Sequence, residues 1–258
     1  MAGGTQNKYQ LIGAYTRYSS WTSRISVLLD YYAIPYQPTF LSLPESVKLS
    51  KSGLVPVLEV QSSEGNFQVN ESIAISEFLA ESHPEHPLWP KDRVLRAHAR
   101  SAVARMHAGL CTVLRTYYHT NALGKYSGAI PIYDGTLKEV ETILALWGES
   151  RRLTASRLKE LGQADDGFLF GSFGIADAFF WPVLWRFRSY NFPLSSATPE
   201  ALAWMKLMWS DSKIKEIIHG FVLQRQRPET TIKNYDDIFA GNPDVQFGWF
   251  DEDWEFTA

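Results

Sequence analysis

The dipeptide Val55-Pro56, in the stretch SGLVPVLEV, constrains this chain more than any other feature. A proline between apolar β-formers lacks a ladder donor and is out of place in a central strand. It fits a turn just before a short strand, with the Val55-Pro56 bond cis, so that the Val55 N–H and C=O point outward and pair with an extended peptide ligand. Further along, Glu71-Ser72 opens the apolar-periodic run Ile73, Ile75, Phe78, Leu79, which reads as a helix. A helix N-terminus offers unpaired N–H groups and partial positive charge, which suit a carboxylate. One element reads main chain and the other reads an acid. Taken singly, each has a plainer reading, a proline kink and an ordinary N-cap.

Upstream, Tyr9 to Ala14 is a short strand-like run, Ile25, Leu28, Leu29 and Tyr32 fall at helical spacing, and Tyr36 to Leu41 is again strand-like. Between the first strand and the helix lies Tyr18-Ser19-Ser20-Trp21-Thr22-Ser23-Arg24. Ser19 or Ser20 can cap the helix. In a strand-helix-strand unit the end of the first strand, the helix start and the proline turn converge at the carboxyl edge of the sheet. A serine hydroxyl there faces any ligand held by Val55 and Ser72.

Together these residues resemble a cytosolic glutathione transferase of the serine type. SSWTSR is similar to the serine motif of the zeta and theta classes and to the SSWSLR form of many bacterial members. Alignment through Ile34 puts the family's catalytic serine on Ser19, with Ser20 next to it as the fallback. The resemblance implies that Val55 and Pro56 pair with the cysteinyl main chain of glutathione, and that Glu71 and Ser72 bind its γ-glutamyl end. Leu54 departs from the Lys or Gln of many members; Lys51 or Lys48 is the candidate replacement. LWPKDRVLRAHARSAVARMHAGLCTVLR resembles the first long helix of the family's second domain, and FLFGSFGIADAFFWPVLWRF its buried helix. Gly174 stands where the family has Ser or Thr, and a slightly weaker helix cap is expected.

The implied fold class is α/β followed by all-α: a thioredoxin-like βαβ-α-ββα domain over residues 1–83, a linker 84–91, an all-helical domain 92–224 and an extension 225–258. The implied activity is addition of glutathione, as cosubstrate, to an apolar or conjugated electrophile. The alternatives are a glutathione-dependent cis-trans isomerase like maleylacetoacetate isomerase, and a non-catalytic binding protein of this fold. A homodimer is expected by analogy. Ser19 acts as a hydrogen-bond donor: lowering a thiol pKa by about two units takes roughly 2.7 kcal/mol, and one bond to a charged group contributes about 1.5–3. No cysteine occupies the serine loop, which argues against thiol exchange. Acceptor-pocket candidates are Tyr15, Arg17, Tyr18 and Trp21 from the first domain, with Met106, Leu110, Arg115 and Tyr118 from the long helix. Arg24 reads as a structural ion-pair partner.

At 258 residues and 45% hydrophobic content the chain can build two cores. A net charge of −3 with dispersed basic residues leaves no footprint for nucleic acid. No apolar run approaches the roughly 20 residues of a membrane span, and MAGGTQNK lacks a secretory h-region. The single Cys111 fits a reducing compartment, and a cytoplasmic protein is expected. His83 and His86, in the proline-rich SHPEHPLWPKD, read as solvent-facing, and no metal is expected. Helices are expected over Asp92 to Asn121, Thr136 to Leu161 and Ile175 to Tyr190, the last kinked at Pro182, with another starting at Thr198-Pro199. The aromatic tail after Arg225 is expected to dock on the body, since its aromatics would make a costly exposed patch.

Overall fold

The computed structural model describes residues 7–257; most of the MAGGTQNK segment therefore lies outside the described residues. The chain begins β1 (Lys8–Ala14), α1 (Ser20–Tyr31), β2 (Gln37–Leu41), α2 (Leu43–Lys48), β3 (Val57–Ser62), β4 (Gly65–Asn70) and α3 (Ser72–Ser82). The four strands form one sheet in the order β2-β1-β3-β4, with β1 parallel to β2 and β3 antiparallel to both neighbours. Leu11 lies opposite Pro38 on one side and Leu58 on the other, and Leu58 opposite Val69. This is the α/β unit followed by helices that the sequence implies. Helix α1 buries Ile25, Val27, Leu28 and Leu29 completely. That exceeds a single apolar stripe because α1 packs between the sheet and a later helix, α7 (Ile175–Ser189).

The helical half differs from expectation at its start. The run expected to be one helix from Asp92 is three pieces: α4 (Arg93–Arg105), a π-helical turn over Met106–Leu110, and α5 (Thr112–Tyr117). Gly109, at φ 157°, breaks the helix. The new helix start is then capped from elsewhere: Glu139 of α6 (Thr136–Leu161) accepts the Val113 and Leu114 N–H groups at 3.0 and 2.7 Å. No local pattern near Gly109 carries that information.

Helix α7 is continuous through Pro182. Its neighbours Trp181 and Trp185 are fully buried, and packing on all sides outweighs the hydrogen bond the proline removes. Gly174 caps α7 with Asp177, whose carboxylate accepts the Gly174 N–H at 3.0 Å. A Cβ on Gly174 would sit 2.9 Å from the Leu88 carbonyl oxygen, which accepts the Ile175 N–H at 3.0 Å. The linker itself thus satisfies a helix-start donor, and the glycine makes room for it. Helix α8 (Pro199–Ser210) starts as expected, with Thr198 Oγ1 accepting the Ala201 N–H; α9 (Ser212–Arg225) follows, capped by Asp211. His83 is not solvent-facing: it is buried, with Nε2 3.0 Å from the Tyr9 hydroxyl.

The tail docks on the body. Strand β6 (Val245–Trp249) pairs antiparallel with β5 (Gly124–Gly128). A Cβ on Gly128 would lie 2.3 Å from the Asp244 carbonyl, so only glycine allows the approach. Beyond β6, Phe250 and Trp254 join Trp209 around the buried Arg188 guanidinium, at 4.3, 4.9 and 4.0 Å. Among the described residues no helix is long and apolar enough to cross a membrane.

Candidate active site

The site grows from the carboxyl end of β1. Gly13 has no side chain because Thr22 fills the space: a Cβ there would lie 2.3 Å from Thr22 Cγ2. Thr22 in turn holds Ser19, the N-cap of α1, whose Oγ accepts the Thr22 N–H at 3.2 Å and lies 2.9 Å from Thr22 Oγ1. With Thr22 Oγ1 as donor, both Ser19 lone pairs are engaged and its O–H is left to donate outward.

The Val55-Pro56 bond is cis and immediately precedes β3. Glu71, the N-cap of α3, has φ 71° and makes no side-chain cap bond. A non-glycine residue held there costs on the order of 1–3 kcal/mol, and such residues cluster at ligand sites. Ser72 is fully buried and its Oγ has no partner among the described residues, an uncommon state for a buried hydroxyl.

A cavity of about 670 Å³ opens beside these elements, within the range of small-molecule sites. Its sheet-side wall carries Tyr18, Ser19, Ser20, Trp21, Val55 and Glu71. The opposite wall carries His107, Arg115, His119, Thr120 and Arg186, and the tail adds Ile232 and Tyr235. His107 makes an edge-on contact with Trp21, with ring centroids 5.4 Å apart, and its Nδ1 is buried without a partner. Burial and the charge of Arg24 hold His107 below the ordinary imidazole range, and burial with Arg186 does the same to His119. Arg186 donates to the Tyr118 carbonyl at 2.8 Å. A wider hollow of about 810 Å³ lies against Lys8, Tyr36 and Gln61, away from these groups.

Of the sequence candidates, Ser19, Ser20, Val55, Glu71, Tyr18, Trp21 and Arg115 meet at the cavity. Pro56 and Ser72 are buried and do not line it. Lys51 is exposed and does not line it. Tyr15 also stands outside, donating to the Glu229 carbonyl at 3.2 Å. Arg17 is fully buried, paired with Asp236 at 3.0 Å and lying over the Tyr18 ring; it is structural rather than a substrate contact. Met106 and Leu110 pack with the core, and Tyr118 is buried with its hydroxyl donating to Pro131 O at 2.9 Å. His107, the neighbour of Met106, is the residue of this turn that lines the cavity. Arg24 has no ion-pair partner among the described residues; its guanidinium lies between Trp21 and Phe179, at 4.2 and 5.0 Å.

His107, His119, Arg186 and Tyr235 were missed by sequence reasoning. A lone arginine in FFWPVLWRF was a usable signal for Arg186, whereas His119 and Tyr235 carried none.

A family model described as "Glutathione S-transferase, C-terminal domain" matches residues 125–207. The chain is 24% identical over 211 residues to pyrimidodiazepine synthase of Drosophila melanogaster, covering 77% of this chain and 76% of that protein. It is 36% identical over 106 residues to a probable maleylacetoacetate isomerase of Caenorhabditis elegans, covering 40% of this chain and 49% of that protein. Among solved structures, a glutathione transferase homologue from Burkholderia with bound glutathione superposes with a TM-score of 0.56, at 21% identity, covering 83% of this chain and 98% of that one. The structural likeness establishes the glutathione transferase fold, and the helical-domain match and the relatives in sequence make the chain similar to members of that superfamily.

Proposed function

We propose that this protein is a glutathione-dependent enzyme that binds the tripeptide along the sheet-side wall and presents its thiolate to a second substrate in the cavity. The observation that carries the reading is the conjunction at one cavity of the Ser19 hydroxyl, the cis Val55-Pro56 turn and the strained Glu71-Ser72 helix start. The Val55 main chain pairs with the cysteinyl residue. The Ser72 Oγ and the first N–H groups of α3 take the γ-glutamyl carboxylate, and Glu71 faces its amine. Ser19 donates to the sulfur. One such bond contributes about 1.5–3 kcal/mol and the α1 N-terminus about 0.3–1, enough to bring a thiol that ionises near 8.5 into the neutral range. No protein sulfur takes part: burial pushes the Cys111 thiol up to about 12.

Two reactions share this start. In transfer the thiolate adds to an electrophile and stays. In isomerisation it adds to a conjugated double bond, the single bond rotates, and the thiolate leaves. Arg115 and Arg186 in the far wall favour the second reading, because a cation there holds the enolate or carboxylate of a conjugated acid; the likeness to the C. elegans isomerase points the same way. Calorimetric titration with glutathione tests binding, and loss of titratable thiol during turnover separates the reactions. Absence of binding in the parent protein overturns both.

A further inference from the structure

We propose that His83, Glu85 and His86 form a binding site for one divalent transition-metal ion of the zinc class, at the joint between the sheet-bearing and helical halves. The three ligand atoms lie within 4.8 Å of one another. Glu85 Oε1 is 3.1 Å from His83 Nδ1 and 3.7 Å from His86 Nε2. Tetrahedral zinc with ligand bonds of 2.0–2.2 Å sets its ligand atoms about 3.3 Å apart, so two of the three edges already stand close to what the ion requires. Two imidazoles and a carboxylate suit zinc and leave a fourth position for water.

The ligands are held by the chain around them. Pro84 and Pro87 fix φ on either side of Glu85-His86. The His86 N–H donates to the His83 carbonyl at 3.1 Å and closes the turn. The His83 ring has a hydrogen-bonded outer partner, as metal-binding histidines do. The Tyr9 hydroxyl lies 3.0 Å from His83 Nε2, so a proton on Nε2 leaves Nδ1 as the metal-facing nitrogen. The His86 ring stacks on Tyr32, with centroids 4.7 Å apart and planes at 27°, and the Tyr32 hydroxyl donates to the Phe173 carbonyl. An ion here clips the linker to β1 through Tyr9 and to the end of α1 through Tyr32. None of these residues lines the 670 Å³ cavity, so the site stands or falls independently of glutathione.

The test uses the full chain stripped with chelator and titrated with Zn²⁺ by calorimetry and with Co²⁺ by visible absorption, without glutathione. One ion per chain is expected, with the intense visible bands of tetrahedral cobalt and a rise in melting temperature. Glu85→Gln and His86→Asn, at partly exposed positions, are expected to fold as the parent does and to lose affinity by about tenfold or more. Tyr9→Phe is expected to lose about 10–100-fold, the usual effect of removing an outer partner. The exposed His98→Asn is the control that keeps full affinity. No saturable binding to the parent, a faint octahedral cobalt spectrum, or affinity that survives the Glu85→Gln, His86→Asn pair overturns the site; the first two outcomes need no variant. In that case the trio is a hydrogen-bonded chain from Tyr9 through His83 to Glu85.

Discussion

The two walls of the cavity are built on different principles. The sheet-side wall, besides Tyr18 and Trp21, carries groups close to the ends of regular elements: Ser19 at the start of α1, Val55 before β3, Glu71 at the start of α3. Its geometry follows from a four-stranded sheet and two helix caps. The far wall is assembled from His107 on a π turn, His119 in a loop, Arg186 in the last turn of a buried helix, and Ile232 and Tyr235 from the tail. The first wall suits an invariant main-chain ligand. The second is large side chains on separate segments, each replaceable alone, as a variable partner requires.

The tail tests that contrast with the largest expected effect. Asp236 is the counter-charge of the fully buried Arg17 and accepts from the Tyr18 hydroxyl and Asn121 Nδ2. Asp236→Ala leaves a buried charge unpaired, and urea unfolding is expected to show a loss of about 3 kcal/mol, the low end for broken buried pairs because Asp236 keeps some exposure. A loss below about 1 kcal/mol would make the tail an appendage rather than part of the wall. The double variant Arg17→Met, Asp236→Leu is expected to recover most of the loss.

Next in size is division of labour between walls. Ser72→Ala is expected to weaken glutathione by about 10–100-fold in calorimetry, the equivalent of one hydrogen bond to a charged group. Arg115→Gln is expected to leave that affinity nearly unchanged and to lower turnover; equal effects of the two would erase the distinction. Ser19→Ala is expected to raise the pKa of bound thiol by about 1–2 units, read from thiolate absorbance against pH. Thr22→Val, which removes the partner that aims Ser19, is expected to give a smaller rise.

The walls also differ in pH response. His107 and His119 are held below the ordinary imidazole value by burial and neighbouring arginines, so below about pH 6.5 the unfolded chain binds more protons than the native one. Stability from the far wall is therefore fully present above that pH and is lost as pH falls toward the lower native values. A urea midpoint that drops between about pH 7 and 5, and drops less in His107→Asn, is the expected result. The smallest effect is a null one: Cys111, 5% exposed and pushed up to about 12, is expected not to react with a thiol reagent until the protein unfolds.

Legibility followed the same division. Strands β1 to β3, α1, α3, α6 and the Thr198 cap were readable because period, proline and capping are local signals, whereas β5, within the segment expected to be all-helical, and β6 were not. The sheet-side residues were readable for that reason and through the family resemblance. Of the far wall, Arg115 alone was. The helix expected to run from Asp92 breaks at Gly109 and restarts on a carboxylate from α6, a tertiary cap that no local pattern announces. Arg17 and Arg115 looked alike as pocket cations; only the tail's Asp236 takes Arg17 out of contention. The Gly174 departure, too, was a contact with Leu88 that no local rule describes.

The pairing of Arg17 with Asp236 also orders events during synthesis. The two are 219 positions apart, so the ribosome delivers the arginine long before its counter-charge. The edge that carries Ser19, Val55 and Glu71 is complete once α3 has emerged, but the opposite wall lacks Ile232 and Tyr235, and β5 lacks β6, until residues 232–249 follow. A nascent chain thus completes the sheet-side wall well before the opposite one.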